Sequence, residues 1–357
     1  MTQTKAELLQ TKNQGDIRLG DADSSHYVGF KAPTTVSANK VWTLPAADGS
    51  ANQVLTTNGS GVLTWAAGGG LSSDAQFNTV GGTNAGDSFT GTDANYNTLI
   101  GYDAGTAITS GDNNTVFGYK AGEAITTVSR NSFFGYQAGR YTTGYNNTFI
   151  GENCGQGSSG STTSYNGTGL GKGALYSSTT GGGNTSIGMN SGYAVTTGYD
   201  NTLIGYQAGN TLTTGRNNIC IGYESAPSSN TVDHEITFGN SSISTLRCQV
   251  TSISALSDRR DKTDINTLDL GLNFINALNP VKFKWNSREG ILKDGSYEAG
   301  FIAQDFQESQ KDFNAEYLNL VLDTNPEKLE AAPGKLIPIM VQAIKELSAE
   351  VQALKNS

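Results

Sequence analysis

From residue 97 to residue 223 the apolar positions follow one repeating layout: a polar Asn-Thr or Asn-Ser pair in most copies, a short run ending in Ile, Leu or Phe, a glycine, and often a tyrosine. The copies close on Ile100-Gly101-Tyr102, Phe117-Gly118-Tyr119, Phe134-Gly135-Tyr136, Ile150-Gly151-Glu152, Leu170-Gly171-Lys172, Ile187-Gly188-Met189, Ile204-Gly205-Tyr206 and Ile221-Gly222-Tyr223. Their glycines step by 17, 17, 16, 20, 17, 17 and 17 residues, and Ala104-Gly105, Ala121-Gly122, Ala138-Gly139 and Ala208-Gly209 follow at a fixed offset. Such regularity predicts a β-solenoid of short strands closed by glycine turns. A unit this short cannot bury an apolar face alone and needs neighbours above and below. At a strand spacing of roughly 4.8 Å per coil, eight coils make a shaft of about 38 Å. Asparagine at a fixed place in each coil can stack into a hydrogen-bonded ladder, and glycine can take positive φ at the corners.

On either side the pattern changes. Upstream, a short polar stretch with helical character leads into Gly15-Asp16-Ile17-Arg18-Leu19-Gly20, Val41-Trp42-Thr43-Leu44-Pro45 and Gln53-Val54-Leu55-Thr56-Thr57-Asn58-Gly59. Alternation broken by Asp-Gly and Asn-Gly predicts hairpins, and Gly68-Gly69-Gly70 marks a joint. Downstream, the last 101 residues hold only 5 of the 45 glycines but 28 of the 55 charged residues. That segment ends in Ile337, Met340, Ile344, Leu347, Val351 and Leu354, stepping 3, 4, 3, 4, 3, a heptad seam that predicts a long helix packed on other chains. The order of Ile/Val and Leu in the seam formally favours two strands over three. The expected division is therefore an attachment segment over 1–75, a glycine-rich shaft over 76–256 and an α+β domain over 257–357.

With 36% hydrophobic residues in 357, the chain lacks material for one ordinary core, so repetition and oligomerisation must supply burial. A formal charge of -9 leaves no basic face for nucleic acid and no polybasic membrane anchor. The N-terminus lacks a signal-peptide layout and no run approaches 18 apolar residues, so the chain is expected to be made in the cytoplasm without membrane insertion. Cys154, Cys220 and Cys248 show no ligand spacing and read as small buried hydrophobes, so neither a metal nor a cofactor is expected. His26 and His234 are isolated. Tyr102, Tyr119, Tyr136, Tyr206 and Tyr223 form either a structural ladder or, less in keeping with their setting, a stripe for stacking on sugars. No repeated carboxylate pair supports a glycosidase.

Three patterns carry resemblances. The Asn-Thr-x-Ile-Gly-Tyr-x-Ala-Gly layout resembles the head repeats of trimeric autotransporter adhesins, which implies three chains sharing a β-roll. The run from Trp42 to Gly59 is similar to segments common in phage tail-fibre proteins, which implies attachment to a tail or baseplate. From Ser257 onward, Ser257-Asp258-Arg259-Arg260-Asp261-Lys262-Thr263-Asp264-Ile265, Leu278-Asn279-Pro280-Val281-Lys282-Phe283-Lys284-Trp285, Gly300-Phe301-Ile302-Ala303-Gln304-Asp305 and Leu336-Ile337-Pro338 stand in order. Together they resemble the intramolecular chaperone of phage tailspikes and tail fibres. This self-cleaving serine peptidase family also occurs in endosialidase tailspikes and myelin regulatory factor.

The resemblance implies Ser257 as nucleophile, Lys262 as base, Asp258 as the residue that orients the turn, and Leu256-Ser257 as the scissile bond. A serine is inert until a neighbour takes its proton, and a lysine serves only when desolvation or nearby cations such as Arg259 and Arg260 favour its neutral form. Residues five apart do not meet on a straight strand or a helix, so a bend is required between them, which trimer assembly could supply.

The expected protein is mainly β: an elongated homotrimeric fibre of the virion tail, assembled in the host cytoplasm, binding a host surface glycan or protein receptor. Alternatives are a trimeric bacterial adhesin and a tailspike depolymerase.

Overall fold

The computed structural model describes residues 16–20, 27–31, 41–50, 53–67, 71–160, 162–243, 245–249, 254–286 and 295–357. The chain divides into two compact units, Met1–Gly70 and Leu71–Ser357. In the first, β1 (Asp16–Gly20) pairs antiparallel with β2 (Tyr27–Lys31), and β3 (Gln53–Thr57) with β4 (Leu63–Ala67). Asn58 shapes the second turn: its Oδ1 accepts from the backbone N–H of Ser60 at 2.9 Å and of Val62 at 3.2 Å, the local competition that makes asparagine a turn residue. The polar N-terminal stretch and the Gly68-Gly69-Gly70 joint lie outside the described residues.

The second unit opens with β5 (Ser72–Ser73) antiparallel to β6 (Thr79–Gly81). The sheet then continues in parallel through β7 (Thr98–Ile100), β8 (Thr115–Phe117), β9 (Ser132–Phe134), β10 (Thr148–Ile150), β11 (Thr168–Leu170), β12 (Thr185–Ile187), β13 (Thr202–Ile204), β14 (Ile219–Ile221) and β15 (Ile236–Phe238). Each coil contributes one three-residue strand, paired in register with the next, in an 11-stranded sheet. The parallel ladder extends one strand beyond the eight sequence copies at each end, and antiparallel β5 adds the eleventh strand. Gly81 stands in place of the aliphatic residue in β6, and Glu235 in place of asparagine before β15, which hid both.

The middle residue of each strand points inward. Leu99, Val116, Phe133, Phe149, Leu203 and Cys220 are fully buried and meet Ala104, Ala121, Ala138, Ala208 and Ile108, Ile125, Val195 and Leu212 from the turns. A core one side chain wide per strand is thus buried within a single chain, by the coils above and below, and not between chains as the thin apolar content had implied. Of the three cysteines, Cys154 and Cys220 are buried as expected, whereas Cys248 is exposed beyond the last coil.

Asparagine seals the core's edge. The Oδ1 of Asn97 accepts from both the backbone N–H and the Nδ2 of Asn114, at 2.9 and 3.1 Å, and that of Asn114 from the same two groups of Asn131, at 3.1 and 3.2 Å. Each Nδ2 also donates across its coil, from Asn97 to the Gly111 carbonyl at 2.8 Å and from Asn131 to that of Gly144 at 3.0 Å. A column of buried amides with every group paired is what an interior of low polarity demands. At the strand exits the coils come so close that Gly118, at φ +140, has no room for a Cβ beside the Gly135 carbonyl.

The column breaks once, at Gly167, whose N–H meets the Asn147 Oδ1 at 2.8 Å without passing the contact on. A Cβ there would lie 3.0 Å from the Asn147 Oδ1 and 3.3 Å from the Phe149 ring, and one at Gly169 would strike the Cys154 Sγ at 2.5 Å and lie 3.1 Å from the same ring. Both glycines thus border the Phe149 ring, which stacks on Phe133 at 5.4 Å between centroids.

After the shaft come α1 (Leu272–Ala277), the antiparallel pair β16 (Val281–Phe283) and β17 (Glu298–Gly300), α2 (Ala303–Asp312), the pair β18 (Val321–Leu322) and β19 (Glu330–Ala331), and α3 (Ile337–Asn356). Leu270, Phe274, Phe306, Leu320, Leu336 and Ile339 make a separate core. Glu346 of α3 caps α1, accepting the Leu272 N–H at 2.6 Å, and a Cβ at Gly271 would strike its carboxylate. That N–H and the amide of Gln342 hold the Glu346 carboxyl below its ordinary value.

Asn131→Ala leaves several buried amide partners bare. It is expected to destabilise the shaft by about 2 kcal/mol or more, read as a lowered denaturant midpoint and as faster amide exchange at Asn147. Gly167→Asn, which restores the missing rung on paper, should also destabilise because Phe149 fills the space. Phe149→Leu in the same chain should recover part of that loss.

Candidate functional site

Residues 254–258 carry no regular secondary structure, and after Ser257 the local sequence forces a turn. Asp258, in extended conformation at φ -65 and ψ 138, precedes one 3-10 turn over Arg259–Asp261. Its Oδ1 accepts the Arg260 backbone N–H at 2.9 Å, the N-cap contact for which aspartate is favoured. Its carboxylate also accepts from the Arg260 guanidinium, Nη2 to Oδ2 at 2.6 Å and Nε to each oxygen at 3.1 Å. First the Arg260 side chain and then its backbone N–H hold the Asp258 carboxyl below its ordinary value. The turn closes with the Asp261 and Lys262 N–H groups donating to the carbonyls of Asp258 and Arg259, both at 3.2 Å.

This turn supplies the bend that a serine and a lysine five residues apart require. Lys262 Nζ lies 2.5 Å from Ser257 Oγ and also donates to the Ser257 carbonyl at 3.3 Å. The bend forms within a single chain, from a capped turn, without a partner's help. Dryness is another matter: Leu256 is fully exposed, and Ser257 and Lys262 are exposed as well. The positive field expected from Arg260 is largely matched by its pairing with Asp258.

The helix seam is placed just as openly. Ile337, Met340, Ile344, Leu347, Val351 and Leu354 are all exposed, Ile344 at 66% and Leu354 at 75%. The opposite face of α3, with Ile339 and Ala343 buried, rests on the domain's own core. Sequence reasoning found the seam and missed this second face, although Leu336, Ile339, Ala343 and Glu346 stand at helical spacing.

The tyrosines form ladders. Tyr102 stacks on Tyr119 at 5.5 Å, Tyr119 on Tyr136 at 5.3 Å, and Tyr206 on Tyr223 at 5.3 Å. Tyr119 spends both ring faces on its neighbours, which leaves it an edge and a hydroxyl where a sugar would need a face. Beside it Lys120 bridges Asp103 at 3.1 Å and Glu123 at 2.7 Å, and those carboxylates hold its ammonium above the ordinary lysine value. Burial pushes the thiols of Cys154 and Cys220 up to about 12 and about 11, far from the reactive thiolate range. Among the described residues, no group of three or more His, Cys, Asp and Glu is placed to hold a metal ion.

No curated protein and no solved structure matches the chain. One family model does: residues 257–314, a stretch that begins on Ser257 and carries the capped turn, α1, β16, β17 and α2, match the family described as the chaperone of endosialidase.

Proposed function

We propose that the chain is a phage tail-fibre or receptor-binding structural protein that acts as a homotrimer, and that its C-terminal domain drives trimerisation and then cuts itself off at Leu256-Ser257. The observation that carries this reading is the Lys262 Nζ contact with Ser257 Oγ at 2.5 Å, beside an exposed Leu256, at the start of the segment that matches the endosialidase chaperone model. In the proposed reaction, neutral Lys262 takes the Ser257 hydroxyl proton as Oγ attacks the Leu256 carbonyl carbon. The bond from that carbon to the Ser257 nitrogen breaks, and the proton passes from Lys262 to the departing amine, leaving an ester between Leu256 and the Ser257 oxygen. Water hydrolyses the ester, giving a Leu256 carboxylate and a free Ser257 N-terminus, once per chain. Asp258 positions the pair through its cap.

Assembly enters as the trigger. Proton transfer between the two groups is favoured by a dry setting, which the exposed pair would gain when copies pack around it. The uncovered α3 seam is where that packing would begin. The N-terminal unit would attach the fibre to a tail or baseplate, and the shaft would meet a glycan or protein receptor on the host surface.

Intact mass after expression tests the reading. The wild-type chain should break before Ser257, and Ser257→Ala and Lys262→Ala should each leave it whole. An uncut wild-type chain that still assembles would reduce the domain to a retained assembly cap. Asp258→Asn, which keeps a capping oxygen, should cut near the wild-type rate, whereas Asp258→Ala should slow cutting about fivefold. Ile344→Lys together with Leu347→Lys should leave the chain uncut, since packing of the copies around this domain is the trigger; efficient cutting by that variant would remove the seam from the mechanism.

A further inference from the structure

The shaft exposes a second uncovered apolar surface, independent of α3. The third residue of each strand points away from the core, and from Ile100 to Phe238 it is always Ile, Leu or Phe. Phe117 is 50% exposed, Leu170 45% and Phe238 61%, and Phe134, Ile150 and Ile187 are similarly open to water. The outward row beside it, the first residue of each strand, is Thr98, Thr115, Ser132, Thr148, Thr168, Thr185 and Thr202, then Ile219 and Ile236. Neither row contains a charge over nine successive strands. The Tyr102–Tyr119–Tyr136 ladder borders the apolar row around the glycine corner.

We propose that this sheet face is where the shafts of identical chains meet, side by side and level coil with coil. The inference rests on the oligomeric reading above and names the surface that serves it. Three features single out a second copy as the occupant. The row leaves on the order of 600 Å² of apolar surface in water, at the upper end of what the largest patch on a monomer reaches and where such patches are often functional. With the threonine row and tyrosine ladder beside it, the face approaches the roughly 800 Å² per partner of a standard interface. The face repeats at the strand spacing for about 38 Å, and a partner built on the same spacing meets every rung, whereas a partner without the repeat fits only part of it. The absence of charge lets like rows approach without desolvating an ion, and Glu152 and Lys172 at the corner neutralise each other at 3.1 Å.

The contact can be tested on the full chain by placing one cysteine on the row. Ile187→Cys in a Cys248→Ser background, oxidised in the native state, should give covalently linked pairs of chains on a denaturing gel, because equal heights on neighbouring copies face one another. Thr127→Cys, at an exposed position off the row, should not. Separately, Phe134→Lys with Ile187→Lys should make the shaft fall to single chains once residues 257–357 are removed, with its β circular dichroism retained, while Thr127→Lys with Thr211→Lys stays associated. Row variants that associate like the wild type, or oxidation that links the Thr127→Cys chains and not the Ile187→Cys chains, would overturn the assignment and leave the oligomeric reading standing. A wild-type chain that is single at every concentration would overturn both. Association of the wild-type shaft with a different protein and never with itself would give the row another occupant and equally end the proposal.

Discussion

The coil-to-coil hydrogen bond is the constraint on which the shaft rests. With three-residue strands, no coil has enough backbone pairing or core of its own to stand alone, so each owes its shape to the two beside it. Stacking must therefore be close and nearly exact in period. The glycine corners, where a Cβ would strike the next coil's carbonyl, and the asparagine column, where one amide satisfies the next, are two solutions to the same demand. Polar columns of this kind stabilise through what their absence would cost: a buried amide without a partner is worse than no amide.

The same periodicity creates a register problem. A strand displaced by one coil meets a partner almost identical to its own, so neighbouring registers differ little in energy. Irregularities mark absolute position, most of them in the middle: coils of 16 and 20 residues by glycine spacing, the Phe133–Phe149 stack, and the rung missing at Gly167. On the proposed reading a terminal domain that joins the copies first would resolve the ambiguity between chains, because it fixes their relative height before any coil pairs. The uncovered α3 seam suits that task, and the uncharged row on the shaft would then close from the same end.

Much of this was legible in the sequence because solenoids write their fold as spacing. The glycine steps located eight of the coils, and the Asn-Thr pairs located the polar column. The unread parts are the end strands, where the residue types change and, at β6, the step to the next strand is 19 residues. β6 carries Gly81 where the other parallel strands carry Ile, Leu or Phe, and β15 follows Glu235 where all the others but β11, which follows Gly167, follow asparagine. The Ser257 and Lys262 pair was named from residue types and resemblance, but the single turn that joins them is capped by Asp258 accepting the Arg260 backbone N–H, with the Arg260 guanidinium beside it. That choice between partners is settled by three-dimensional geometry. The inner face of α3 was missed for a different reason: two apolar stripes on one helix overlap in sequence, and the cleaner heptad drew attention from the other.

Geometry and environment part company at the site, and the separation has a physical use. Proximity is already present: the capped turn holds the hydroxyl and the amine together in one exposed chain. What proximity cannot provide is a neutral amine, which needs low polarity around it. A cut whose geometry is local but whose chemistry needs burial is a cut that reports on packing. Under the proposed mechanism it would be made late, when neighbouring copies have excluded water, and it would sever the domain that first aligned them. The association left behind would then have lost its path of reversal, so its persistence would be set by an unfolding rate and not by the modest stability of any one coil.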